Sequence, residues 1–204
     1  MSLFLNKKKD CESCQAVRSV IRQENAGYDI GESLVRLYDL NKEEFGREVR
    51  QITSSKIFKL VEKDIFSAIG SDDNDYKHLL AVARKASHRG YTSFILPNPR
   101  TGRTPDIILR RKGIFKIYDV KTIVGTNSVS NRLADSVGQT HRVILHITTE
   151  YDPRQLAKEI KTFLKDNIDT IEVTVLRGNK EITVSHATIL DKHYIQKFIM
   201  NYKR

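Results

Sequence analysis

Two aspartates and a lysine lie on neighbouring stretches of this chain at a spacing that can bring all three to one place. From Arg103 to Thr122 the sequence reads as a strand over Asp106 to Arg110, a tight turn at Lys112 and Gly113, and a second strand over Ile114 to Lys121. A two-residue loop at Lys112 and Gly113 makes the numbers of cross-strand partners sum to 225, which sets Asp106 directly opposite Asp119. Directly opposed residues point to the same side of a hairpin, with Cβ atoms about 5 Å apart. The strand period of two then returns Lys121 to the face that carries Asp119.

Two carboxylates held that close repel each other unless a cation sits between them. A hard divalent ion meets that need, since Mg²⁺ is commonly held by one or two carboxylates together with waters and phosphate oxygens. Mg²⁺ or Mn²⁺ is therefore the expected cofactor, with Asp106 and Asp119 as ligands and the Val120 backbone carbonyl as a further one. Lys121 is expected to position or deprotonate an attacking water, or to stabilise charge developing on a phosphate. The competing reading is a solvated hairpin face on which Lys121 simply pairs with one aspartate. A loop one residue longer would also undo the pairing.

Charge distribution points the same way. The chain of 204 residues has a formal net charge of +10. The segment from Tyr76 to Glu150 alone holds 13 basic and 4 acidic residues, so nearly all the excess surrounds the acidic pair. Lysines and arginines attract a polyanion through counterion release and steer its approach, which makes nucleic acid the expected partner. Arg110, Arg111 and Lys112 at the hairpin tip are expected substrate contacts. Arg132 and Arg142 join them, Arg being suited to bidentate phosphate contacts.

The elements that must position these residues follow from periodicity and turn chemistry. Helical signals dominate up to residue 75: Cys11 to Glu24, Gly31 to Leu40, a start at Asn41 with Glu44 three positions on, and an apolar stripe over Ser55 to Ile69 closed by Gly70. The acidic run Ser71 to Asp75 reads as a linker, dividing the chain into a helical segment (1–75) and an α/β domain (76–204). Beyond it come a helix over Tyr76 to Arg89, a strand over Tyr91 to Leu96, a loop over Pro97 to Thr104, and the hairpin. A helix over Ser128 to Thr140, a strand over Arg142 to Ile147, a helix over Pro153 to Asp166 and strands over Ile171 to Leu176 and Glu181 to Ser185 follow. The expected fold is α/β (α+β by strict naming), with a mixed central sheet in the order αβββαβ. No run of about 18 apolar residues is present, so no membrane span is expected. Leu3, Phe4 and Leu5 before Lys7, Lys8 and Lys9 are too few for a signal-peptide core, which makes the cytoplasm the expected place of action. Cys11 and Cys14 form a single C-x-x-C with no second pair to complete a zinc site.

That order of elements, with Pro105-Asp106 and Asp119-Val120-Lys121 on successive strands, resembles the PD-(D/E)xK nuclease superfamily over Tyr76 to Ile147, a restriction-endonuclease-like core. The runs Thr104-Pro105-Asp106-Ile107-Ile108, Tyr118-Asp119-Val120-Lys121 and Gly138-Gln139-Thr140-His141-Arg142-Val143-Ile144-Leu145 are similar to the C-terminal toxin nucleases of contact-dependent inhibition systems. The resemblance implies an endonuclease acting on tRNA or DNA, a cognate immunity protein as partner, and Gln139 facing the site from the helix after the D-x-K strand. It also implies an acid on the first core helix, where only Asp75 at its edge is available. Some of those toxins are metal-free ribonucleases, and His78, His141 and Lys121 would then carry proton transfer. Two further classes stay open: a non-catalytic nucleic-acid-binding module, and an interaction protein whose helical part docks a partner.

Overall fold

The computed structural model describes residues 30–98, 103–125 and 128–203. Cys11, Cys14 and the expected helix over Cys11 to Glu24 lie outside the described residues. Two helices come first, α1 (Ile30–Arg36) and α2 (Lys42–Thr53). The side chain of Asn41 caps α2 by accepting from the Glu43 and Glu44 N–H groups, which satisfies donors that the first helical turn leaves unpaired.

The expected helix over Ser55 to Ile69 is instead a β-hairpin, β1 (Lys59–Glu62) and β2 (Ile65–Ser67), turning at Lys63 and Asp64. Its apolar residues fit a helical stripe in isolation. Parallel pairing of β2 with β3 (Thr92–Ile95) decides for strand by giving its backbone a distant ladder. The expected αβββαβ core is present: α3 (Tyr76–Ser87), β3, β4 (Ile107–Arg111), β5 (Ile114–Ile123), α4 (Val129–Ala134) and β6 (Arg142–Ile147). Then follow α5 (Pro153–Asp166), β7 (Glu172–Arg177), β8 (Lys180–Ser185), α6 (His186–Ile189) and α7 (Tyr194–Lys203). Together the strands form one mixed sheet of eight in the order β1 to β8.

Three apolar clusters hold the layers, and strand alternation assigns them to faces. Ile108 and Ile117 point into a cluster closed by Ile30, Leu34, Val49 and Ile52 of α1 and α2. Ile123, Val143 and Leu145 point into a second cluster with Leu133 of α4, Leu156 and Ile160 of α5, and Phe198 of α7. Because Ile117 and Ile123 share parity on β5, both clusters lie on one face of the sheet. Asp119 and Lys121 fall between them. The opposite face packs Tyr118, Val120 and Ile144 against Leu79, Val82 and Ala83 of α3. Residues 30–67 thus cover and extend the same sheet that carries the hairpin.

The strand β5 changes partner midway. Its residues Ile114 to Tyr118 pair antiparallel with β4, and Asp119 to Ile123 pair parallel with β6. Beyond Ile107 the chain of β4 leaves the ladder, so the β4-side edge of β5 is uncovered from Asp119 onward. Among the described residues no helix is long and apolar enough to cross a membrane.

Candidate active site

The turn sets the register. Lys112 (φ 50°) and Gly113 (φ 79°) both adopt positive φ, the conformation of a type I′ two-residue hairpin loop, whose twist matches that of the flanking strands. Ile107 pairs with Tyr118 and Arg111 with Ile114, as the two-residue loop requires. The ladder stops at Ile107, one residue short of the expected strand start. Asp106 is a bend residue whose N–H donates to the Tyr118 carbonyl at 3.0 Å, while its Oδ2 accepts from the Val120 N–H at 2.7 Å. The bend ties Asp106 to both sides of Asp119.

The two carboxyl groups lie near enough for each to bear on the other's charge. Asp119 is 0% exposed. Its Oδ1 accepts from the Lys121 ammonium at 2.8 Å. Its Oδ2 is buried and finds no nitrogen or hydroxyl donor among the described residues. Burial holds the Asp106 carboxyl well above the usual carboxylate range, and the Asp119 charge pushes it further against the opposing Val120 N–H and Lys121. Burial raises Asp119 as well, with Lys121 opposing. A buried pair of acids with one cation and one bare oxygen is an arrangement that costs folding free energy. It is also one that a second cation would relieve.

A cavity of about 400 Å³ opens on this group, lined among others by Asp106, Lys121, Gln139, Arg132, His78 and Asp75. It runs along the uncovered edge of β5, between the start of α3 and the segment after α4. Asp119 lies beneath its floor. Gln139 reaches the cavity from a turn and not from a helix: α4 ends at Ala134, and Gly138 (φ 78°) turns the chain toward β6. The Gln139 amide donates to the Asp135 carbonyl at 2.7 Å, which fixes its orientation. Asp75 sits at the N-terminal edge of α3 and lines the cavity, but no group of three or more His, Cys, Asp or Glu among the described residues is placed to hold a metal ion. The side chains that this site offers an ion are two carboxylates, and Val120 donates its N–H to Asp106 and lines the wall.

Other sequence candidates lie elsewhere. Arg110, Arg111 and Lys112 occupy the far end of the hairpin, about 13 Å along the strand at 3.3 Å per residue. There Arg110 stacks over Phe94 and Arg111 over Tyr91. Arg142 faces Glu172, 3.5 Å away, and does not line the cavity. His141 is stacked on Tyr38, and its two ring nitrogens contact the backbone carbonyls of Asp169 and Tyr38 at 2.8 and 3.0 Å. That leaves neither nitrogen for proton transfer.

Two supporting residues carry no signal in the sequence. Thr140 is 2% exposed, and its hydroxyl accepts from the Asp119 N–H at 3.2 Å. Glu172 at the start of β7 accepts from Lys116 at 2.9 Å and from the Tyr118 hydroxyl at 2.8 Å. A third buried group, His146 on β6, is paired in register with Thr122, and burial together with nearby Lys85 and His78 depresses its pKa to about 4.

Residues 103–182 match the family described as the contact-dependent growth inhibition CdiA C-terminal domain. The match supports a likeness to the toxins of contact-dependent inhibition, and it runs from just before Asp106 through β4, β5, β6 and β7 into β8. No curated protein and no solved structure matches the chain.

Proposed function

We propose that this protein is a nuclease that hydrolyses phosphodiester bonds of nucleic acid, acting as an interbacterial toxin domain on tRNA or DNA and neutralised by a cognate immunity protein. The observation that carries the reading is the buried Asp119 carboxylate. It has one oxygen on Lys121, one oxygen that no nitrogen or hydroxyl donor reaches among the described residues, and a second carboxyl, Asp106, beside it at the edge of a cavity whose wall adds His78 and Arg132. The topology and the Asp106, Asp119, Lys121 set fit a PD-(D/E)xK nuclease core, and the family likeness over residues 103–182 supports the toxin assignment.

The bare Asp119 oxygen and the raised Asp106 carboxyl suit a hard cation, so Asp106 and Asp119 would hold Mg²⁺ or Mn²⁺. Such an ion supplies a water of lowered pKa and neutralises charge developing on the phosphate. Lys121 Nζ, fixed by Asp119, would orient an attacking water and take up negative charge at the reacting phosphate. Arg132 and Gln139 hold the substrate backbone in the cavity. Burial of Asp119 excludes bulk water and strengthens each of these interactions.

A second reading has its own observation: His78 lines the same cavity and is exposed. His78 and Lys121 would then carry proton transfer to and from a ribose 2′-OH without metal. Incubating the purified protein with plasmid DNA, total RNA and tRNA, each with Mg²⁺, Mn²⁺ or EDTA, separates the two. Cleavage abolished by EDTA supports the metal-dependent nuclease, and undiminished RNA cleavage in EDTA supports the second reading. Binding without cleavage of any substrate overturns both.

A further inference from the structure

On β5, Tyr118 is the last residue to pair with β4, and Asp119 is the first in register with β6. Asp119 therefore stands at the open end of the β6 ladder, where a side chain can reach its backbone. Its N–H is taken by the Thr140 hydroxyl at 3.2 Å. The same hydroxyl oxygen accepts from the Arg142 N–H at 3.2 Å and donates its own hydrogen to the Arg142 carbonyl. All its capacity is used, two acceptor positions and one donor. Arg142 in turn sits against Glu172, which also receives the Tyr118 hydroxyl. The Asp119 N–H is therefore held through one threonine that also binds the first residue of β6, and the neighbouring Tyr118 side chain is held by Glu172 at the start of β7.

Resting on the nuclease reading, we infer that Thr140 is a positioning residue: its hydroxyl fixes the Asp119 backbone so that the carboxylate meets Asp106 and Lys121 in one geometry. Thr140 does not touch the cavity and makes no contact with substrate. Its role is exerted entirely through Asp119. A hydroxyl is needed there because only a group that accepts twice and donates once satisfies both residues. Valine has the same shape and removes the hydroxyl's bonds to the Asp119 N–H and to the Arg142 N–H and carbonyl. Displacement of a reacting group by about 1 Å can cost on the order of 100-fold in rate.

The test compares Thr140→Val with Thr140→Ser, and runs Asp119→Asn beside them on plasmid, total RNA and tRNA. Thr174→Val serves as control, since it removes a buried hydroxyl that pairs with Thr183 at 3.2 Å on β7 and β8, away from the cavity. Thr140→Val is expected to lower kcat about 10- to 100-fold with the nucleic-acid Kd unchanged within about two-fold. Thr140→Ser retains most of the turnover, and Thr174→Val lowers Tm without lowering kcat below the melting range. A folded Thr140→Val with wild-type kcat overturns the inference, and so does Thr140→Ser impaired as severely as Thr140→Val. If Thr140→Val does not fold, Thr140→Cys replaces it, its thiol being a weaker donor and acceptor of similar size; wild-type turnover there overturns the inference equally. Asp119→Asn keeps the two failures apart. Wild-type cleavage by that variant overturns the active-site reading itself, whereas an inactive Asp119→Asn beside an unimpaired Thr140→Val overturns the positioning role alone.

Discussion

Two buried carboxylates, one on β5 and one reaching it from β7, are treated in opposite ways. Glu172 receives Lys116 on both oxygens, at 2.9 and 3.2 Å, together with the Tyr118 hydroxyl. Asp119 receives one ammonium, keeps an oxygen that no nitrogen or hydroxyl donor reaches, and has another acid as its neighbour. Desolvation is unfavourable for both. Only at Glu172 do nitrogen or hydroxyl donors reach both oxygens. The lesson is that burial of a charge does not by itself mark a functional group; an incompletely compensated charge whose partners, Asp106 and Lys121, line a cavity does.

That contrast is broken most directly by deleting each acid in turn. Asp119→Ala is expected to reduce cleavage by about 10²- to 10⁴-fold while the melting temperature stays near wild type or rises, because an acid repelled by Asp106 has gone and Lys121 can extend into the cavity. Glu172→Ala is expected to lower stability by about 2–3 kcal/mol, toward the low end for removing one partner of a buried pair because Lys116 reaches solvent. Cleavage assays and thermal melts on the two variants check this. A reversal, with Asp119→Ala unstable and Glu172→Ala inactive but stable, would sink the distinction.

Ion binding sharpens it further. Mg²⁺ or Mn²⁺ at 100 times its Kd should stabilise the folded protein by about 2.7 kcal/mol, seen as a rise in Tm. The double variant Asp106→Asn, Asp119→Asn should lose that response. Glu172→Gln should keep it. An equal shift in all three proteins would mean that the ions act elsewhere.

The smallest effect expected is on the pH dependence of stability. Asp106 and Asp119 titrate above their unfolded values, so the folded protein binds these protons more tightly than the unfolded chain. Linkage then gives a contribution that is present in acid and lost as pH rises from about 4 through the raised folded values. His146 has the opposite sign: with its pKa depressed to about 4, its contribution is present above about 6.5 and lost as pH falls toward 4. Asp106→Asn should remove part of the first slope and leave the second. Denaturant melts from pH 4 to 8 on that variant and the wild type measure the difference, and superimposable curves would show that the pair does not titrate as a unit.

How much of this was legible in sequence depends on how far apart the interacting residues are. Asp106, Asp119 and Lys121 were readable because a two-residue turn and a period of two are local rules, and they survive even though Asp106 bends out of the ladder. The β1–β2 hairpin was not readable: Ile57, Phe58, Leu60, Val61, Ile65, Phe66 and Ile69 suit a helix equally well, and what decides is pairing with Ser93 to Ile95 across an intervening helix. Thr140 and Glu172 were beyond reach for the same reason, since their partners Asp119 and Tyr118 lie 21 and 54 residues away. The stripe of Tyr194, Phe198 and Tyr202, spaced four apart and buried in α7, is by contrast a local pattern. It marks a helix that the reading of the strands alone leaves out.

The tip of the β4–β5 hairpin holds no cavity residue, yet it acts as a length gauge. Because the loop has only two residues, the number of peptide units between the acids is set with no slack. Deleting Lys112 would change the register by one, and a slip of one residue sends a side chain to the other surface of a sheet. Substitution at the same position is a different matter: Lys112→Asn places a residue that tolerates positive φ where φ is 50°. The hairpin should therefore accept a new side chain and refuse a shorter chain, and cleavage by the substituted and the shortened protein would tell the two apart.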